Sequence, residues 1–168
     1  MEGLFAGFDE RDAVISLCGT YRYALTREWE DGQCVAWLMF NPSTADAVDD
    51  DATIRKCVGF SKRWGYGRMV VVNLYAVRSR DPRAVMRTTD PVGPLNNYWI
   101  GEAFKESHQV ICAWGCAQYA NGIHARIAEV MRLANTAELE VLCLGKRNDA
   151  HPRHPLMLAY ATERIAYP

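Results

Sequence analysis

The chain has 168 residues, of which 49% are hydrophobic and 23% charged, and its formal net charge is −1. This length suits one domain spanning 1–168 with a sizeable core, and the composition excludes disordered and fibrous classes. A net charge near zero also excludes a global attraction to nucleic acid, so any phosphate binding has to come from a local patch.

The sequence shows neither a membrane or signal segment nor a metal-binding cysteine pattern. No apolar run approaches the roughly 20 residues that cross a bilayer, and Met1 to Phe5 do not resemble a signal peptide, so we expect a cytoplasmic location without membrane partners. Most of the six cysteines lie in apolar runs and are expected to be reduced core residues. Cys112 and Cys116 lack a second nearby Cys or His pair, so neither a metal nor a cofactor is predicted.

The first predicted elements are two strands and a helix. Tyr21 to Thr26 and Cys34 to Phe40 have strand-like patterns, and the Asp31-Gly32 turn between them predicts an N-terminal β-hairpin. Asp49 to Asp51 then offer caps for a helix that runs to about Trp64 and stops at Gly65.

A polar amide interrupts the next strand. Met69 to Val77 form a dense apolar run, typical of a strand buried on both faces, yet the run contains Asn73. Burying an amide without partners costs on the order of a few kcal/mol. Either the fold or a ligand must therefore satisfy Asn73.

The second half of the chain alternates helices and short apolar strands. The predicted elements are a helix at Leu95 to Lys105, a strand at Gln109 to Trp114, a helix at Ile123 to Ala134 and a strand at Glu140 to Leu144. This alternation predicts an α/β fold: a three-layer sandwich around a central, mainly parallel four-stranded sheet, extended by the hairpin. Ligands bind such sheets at the carboxyl ends of the strands.

Polar and flexible residues follow each predicted core strand. The segments at these ends are Phe40-Asn41-Pro42-Ser43, Asn73-Leu74-Tyr75, Trp114-Gly115 and His151-Pro152-Arg153-His154-Pro155-Leu156. Arg78 and Arg80 lie just beyond the Asn73 strand, near the same edge. The sequence therefore predicts one site at this edge of the sheet.

In this order the four segments resemble motifs of the uracil-DNA glycosylase superfamily. Phe40-Asn41-Pro42-Ser43 is similar to the loop that positions the attacking water, although the leading glycine is absent. Val70-Val71-Val72-Asn73 resembles the strand whose asparagine pairs with a flipped base, and Trp114-Gly115 resembles the end of the third strand. The loop from His151 to Leu156 is similar to the superfamily's His-Pro-Ser-Pro-Leu loop but is one residue longer. Asn41 to Ala47 also resemble the hallmark of a bacterial and phage domain of unknown function.

The resemblance implies a role for each segment. It implies that Asn41 positions a water, that Asn73 reads a base edge, and that His154, in preference to His151, stabilises the departing base. Among the nearby carboxylates Asp46 is the best candidate to activate the water, since Asp49 to Asp51 are suited to capping. The other candidate substrate contacts are Phe40, Pro42, Ser43, Tyr75, Trp114, Gly115, His151 and Arg153.

Three functions are consistent with these residues. The leading one is a nucleobase-binding enzyme that acts on an N-glycosidic bond in nucleic acid or a nucleotide, as in DNA repair or base modification. A second is a protein that binds a base or nucleotide without chemistry. The third is a metal-dependent phosphohydrolase built on Asp46, Asp49 and Asp50.

Overall fold

The computed structural model describes residues 10–115 and 120–168, which form a seven-stranded mixed sheet and four α-helices. The strands are β1 (Arg11–Ile15), β2 (Arg22–Glu28), β3 (Cys34–Met39), β4 (Arg68–Asn73), β5 (Gln109–Cys112), β6 (Glu140–Cys143) and β7 (Ile165–Ala166). The helices are α1 (Ala52–Arg63), α2 (Pro82–Val85), α3 (Asn96–Lys105) and α4 (Ile123–Thr136), and a 3₁₀ turn spans Pro155–Met157. The N-terminal segment 1–9 and Cys116, on which two of the expectations depend, lie outside the described residues.

The strand order is β1-β2-β4-β3-β5-β6-β7. The four strands β4, β3, β5 and β6 run parallel, whereas β1, β2 and β7 pair antiparallel with their neighbours. The expectation of an α/β fold is confirmed, but the sheet is larger than the predicted four strands and is mixed. Parallel strands need helical crossovers, and α1, α3 and α4 provide them.

The predicted hairpin between β2 and β3 is not formed, because β4 lies between these two strands. Gly67, directly before β4, donates to the carbonyl of Gln33 (3.2 Å) and accepts from the N–H of Trp29 (3.0 Å). A Cβ at Gly67 would lie 2.3 Å from the carbonyl oxygen of Glu30, so only glycine lets the loop pass this closely. The hairpin that does form joins β1 and β2.

Both faces of the sheet are covered, as the alternation of its side chains requires. Ala36, Leu38, Val70 and Val72 point to one side and belong to the same core as residues of α3 and α4. Trp37 and Val71 point to the other side and pack in the core that includes residues of α1. There the indole N–H of Trp37 donates to Ser61 Oγ at 2.9 Å.

Helix α1 begins and ends where the sequence indicates. Asp51 is the N-cap and accepts a hydrogen bond from the N–H of Ile54, and Gly65 follows the helix with φ +81°. This places the N-terminal turn of α1 beside the carboxyl ends of the parallel strands. No helix within the described ranges has the length and apolar character needed to cross a membrane.

Candidate functional site

A cleft of about 430 Å³ opens at the carboxyl edge of the parallel strands. Its walls come from the start of β2, the ends of β3, β4 and β5, the first turn of α1 and the loop before α2. The segment after β6 completes them with Arg147 and His154. The polar lining residues are Arg22, Asn41, Ser43, Asp51, Thr53, Asn73, Ser79, Arg80, Arg147 and His154. This is the edge at which parallel α/β sheets bind ligands.

The cleft unites half of the residues singled out from the sequence. Those that line it are Phe40, Asn41, Ser43, Asn73, Trp114 and His154. Those that do not are Pro42, Asp46, Tyr75, Gly115, His151 and Arg153. The site thus combines two asparagines, one histidine and two aromatic rings.

Asn73 is the most unusual of these residues. It is the last residue of β4, lies on the same face as Val71, and is only 1% exposed. Neither its Nδ2 nor its Oδ1 has a hydrogen-bond partner among the described residues. Its backbone, by contrast, is held firmly, since Asn96 Nδ2 donates to the Asn73 carbonyl at 3.0 Å. The described part of the fold therefore fixes the Asn73 backbone in place and gives its amide no hydrogen-bond partner.

Asn41 has the opposite arrangement, because its amide nitrogen is fully used. Nδ2 donates to the carbonyls of Pro42 (3.0 Å), Ser79 (2.9 Å) and Val77 (3.4 Å). Three carbonyl acceptors around one end of the amide determine which end carries nitrogen. The oxygen Oδ1 is consequently the end that remains for a ligand or a water.

His154 reaches the cleft from the loop after β6. Its Nδ1 accepts the N–H of Leu156 at 3.3 Å, so the proton of the neutral ring lies on Nε2. Burial lowers the pKa of His154 below its usual 6.5, against an opposing effect of the Asp51 carboxylate. The ring is therefore neutral at neutral pH, with one N–H to donate.

The depressed pKa predicts a pH dependence. The unfolded chain binds this proton more readily than the folded one, so the stabilising contribution of the neutral ring is fully present above pH 6.5 and is lost as the pH falls through the lower folded-state value. The melting temperature of the wild type should fall more steeply between about pH 7 and pH 5 than that of a His154→Asn variant. A variant at the exposed His108 serves as control, and parallel pH profiles for wild type and His154→Asn would contradict the expectation.

The carboxylate that lines the cleft is Asp51 rather than Asp46. Asp46 Oδ1 accepts the backbone N–H groups of Asp49 (3.0 Å) and Val48 (2.8 Å), and these hydrogen bonds lower the pKa of Asp46. Asp46 thus closes its own turn. One oxygen of Asp51 caps α1 through Ile54, and Asp51 lines the same cleft as His154.

The remaining candidates have structural partners. His151 Nδ1 accepts the indole N–H of Trp114 (3.2 Å), and its ring stacks on His124 with centroids 5.6 Å apart. Tyr75 packs edge-on against Phe40, with centroids 5.2 Å apart. Arg153 lines a neighbouring shallow pocket that shares Arg147 with the cleft.

Gly115 lies against His154, although it does not line the cleft. Its φ is +69°, and a Cβ built on it would lie 2.9 Å from the Cβ of His154. The Trp114-Gly115 pair therefore has a geometric role, since glycine allows the loop carrying His154 to approach the end of β5.

Three charged lining residues were not predicted from the sequence: Arg22, Asp51 as a cleft residue, and Arg147. Arg22 gave a usable signal, because it is a charged residue inside the strand-like run Tyr21 to Thr26, just as Asn73 is a polar residue inside its own run. Asp51 was assigned to capping alone. Arg147 follows β6 in a loop rich in charges and gave no distinguishing signal.

The described cysteines are free thiols, and most of them are buried. Cys34, Cys57, Cys112 and Cys143 are free and buried, and Cys18 is free and exposed. Across 10–115 and 120–168, no three His, Cys, Asp or Glu side chains form a group suited to hold a metal ion.

Comparison with known proteins supplies a family but no activity. A family model described as "Protein of unknown function (DUF1643)" matches residues 22–156. No curated protein and no solved structure matches the chain.

Proposed function

The chain belongs to the DUF1643 family of proteins of unknown function, and we propose that it binds a nucleobase in the cleft and acts on the N-glycosidic bond of that base. The observation that carries this proposal is the amide of Asn73, which is 1% exposed, lines the cleft and has no partner for either polar atom in the described chain.

A primary amide presents one donor and one acceptor side by side. Its best partner is a flat group with an acceptor next to a donor, and every common nucleobase has such an edge. An unpaired buried amide costs about 1–3 kcal/mol, and a ligand that pairs with both atoms recovers this energy. Phe40 and Trp114 line the same cleft, and because they are only 7% and 2% exposed they act as apolar wall rather than as an open stacking surface.

The other lining groups suit cleavage of a glycosidic bond. Such a reaction builds positive charge on the sugar and negative charge on the departing base. Nε2–H of neutral His154 can donate to the base, as an oxyanion-type donor does. The Asp51 carboxylate can stabilise the sugar cation, and Asn41 Oδ1 can position the attacking water. In this proposal Asp51 replaces Asp46 as the carboxylate of the site, but it acts on the sugar cation and not on the water.

The two alternatives differ in their support. Binding without chemistry rests on the same Asn73 observation and is distinguished only by turnover. The phosphohydrolase has less support, because its carboxylates have other partners: Asp46 closes a turn, and Asp50 pairs with Arg27 at 2.8 Å and with Arg11 at 3.2 Å.

The test is release of free base. Purified protein is incubated with nucleosides, nucleotides and single- and double-stranded oligonucleotides, with and without a chelator, and free base is measured by chromatography. Base release that resists the chelator and is lost in His154→Gln but kept in the exposed control His108→Gln supports the enzyme. Binding of a base without release supports the binding protein. If no base-containing ligand binds or reacts, the proposal fails.

A further inference from the structure

Arg22 is a buried cation in the cleft, and no described residue is its anionic partner. It is 2% exposed, and within the described chain its side chain makes one hydrogen bond, from Nη1 to the carbonyl of Ala45. Its Nε is buried and unpartnered, and no described carboxylate lies within 4.0 Å of the guanidinium. Arg27, on the same strand β2, is as deeply buried but pairs with Asp50.

A β-bulge directs Arg22 into the cleft. Val14 pairs with Ala24 but Ile15 pairs with Arg22, so Tyr23 is an extra residue in β2. Ala24 packs in the core on the α3 and α4 side, and Tyr23 lies against Gly93, which precedes α3. The bulge thus returns Arg22 to the side of Leu25, which packs in the core of α1. Without the bulge, the strict alternation of side chains would place Arg22 on the other face of the sheet from Leu25.

The direction of β2 brings this residue to the right edge. Because β2 runs antiparallel to β4, its first residue lies at the carboxyl end of the parallel strands. The N–H of Arg22 bonds to the carbonyl of Ala76, three residues beyond Asn73. Arg22 and Asn73 therefore come from neighbouring strands and line the same cleft.

The charge balance favours an anionic ligand. Burial lowers the pKa of Arg22 to about 10, so the side chain stays charged at neutral pH. The cleft is lined by three arginines, Arg22, Arg80 and Arg147, against the single carboxylate of Asp51. A buried charge without compensation is costly, and the planar guanidinium fits phosphate oxygens especially well.

We propose that Arg22 binds a phosphate group of the substrate, so that the ligand is a nucleoside phosphate rather than a free base or nucleoside. This inference rests on the proposed base site at Asn73. The same phosphate chemistry occurs in a free nucleotide and in a nucleic acid strand, and the experiment separates these sources.

Binding of the common nucleosides, their 5′-monophosphates and dinucleoside monophosphates is measured by calorimetry on the wild type, Arg22→Gln and Arg27→Gln. We expect the wild type to bind a monophosphate or a dinucleotide about 10- to 100-fold more tightly than the matching nucleoside. Arg22→Gln should lose this preference and keep nucleoside binding, whereas Arg27→Gln, an equally buried control outside the cleft lining, should keep both. Preference for the monophosphate indicates a free nucleotide, and preference for the dinucleotide indicates a strand.

The wild type alone gives a second test if Arg22→Gln does not fold. Inorganic phosphate should weaken binding of the preferred phosphate ligand but not of the nucleoside. Equal affinity for nucleoside and phosphorylated ligands, or an unchanged preference in folded Arg22→Gln, overturns the role of Arg22 and leaves the base site intact. Failure of every base-containing ligand to bind overturns the base site itself.

Discussion

An Asn73→Leu variant is expected to melt at a higher temperature than the wild type and to lose affinity for any base. Leucine is close to asparagine in shape, and the replacement removes two buried polar atoms that have no partner in the described chain. Relief of that penalty is worth about 1–3 kcal/mol. For a chain of this size each kcal/mol raises the melting temperature by about 2–4 °C. Thermal melts without ligand, together with calorimetry using base-containing ligands, measure both effects.

Asn96 supplies the matched control. It is also a fully buried asparagine, but its Nδ2 donates to the carbonyls of Asn73 (3.0 Å) and Leu74 (3.3 Å). Asn96→Leu should therefore destabilise the protein, because it removes the side-chain donor to the Asn73 carbonyl and leaves the Leu74 carbonyl with Arg126 Nε alone. If Asn73→Leu melts well below the wild type, the Asn73 amide is satisfied within the fold and the main support for a base site is lost.

Asn73→Asp tests the same position by charge. A carboxyl group this deeply buried favours its neutral form, which raises its folded-state pKa above the unfolded value of about 3.9. Stability relative to the wild type is then greatest below the unfolded pKa and falls as the pH rises through the folded-state pKa. Melts across that range should show a growing deficit towards neutral pH, and a constant deficit would show that the carboxylate is solvated or paired.

Gly115→Ala is expected to be the most damaging single-methyl change near the cleft. The left-handed backbone at φ +69° costs a residue with a Cβ roughly 1–2 kcal/mol. In addition, the new methyl would lie 2.9 Å from His154 Cβ, an atom fixed to the backbone, and relieving such overpacking costs about 1–3 kcal/mol. Chemical denaturation measures the loss of stability, and base release or binding measures the displacement of His154.

Gly19→Ala separates the two causes. Gly19 has nearly the same backbone conformation, with φ +73°, but a Cβ there would meet nothing within 4 Å. It should show the backbone cost alone and leave ligand binding unchanged. Equal losses in the two variants would mean that the contact with His154 has no energetic consequence.

Much of the cleft could be predicted because its residues break local patterns. Asn73 interrupts an apolar run, and the His154 loop follows a core strand, so strand order alone brings both to one edge. Asp46 and Asp51 could not be told apart in this way, because both can bond to nearby N–H groups, and only the path of the loop decides which one reaches the cleft.

The outer strands of the sheet show why strand pairing could not be predicted from local sequence. The Asp31-Gly32 turn predicts a tight hairpin from local propensity, but the pairing of β2 depends on β4, about 45 residues later. The bulge at Tyr23 likewise depends on pairing with β1, so the alternation of the sequence alone gives the wrong face for Arg22.

The strand order also has a consequence for how the chain folds during its synthesis. β2 and β3 are made early, but the strand that lies between them, β4, follows only after α1. A nascent chain that ends before residue 68 therefore exposes the open edges of two apolar strands, which are prone to pair with other chains. The sheet can close around β4 only when that strand has left the ribosome, so a pause in translation before β4 would prolong the interval in which the nascent chain is most exposed to aggregation.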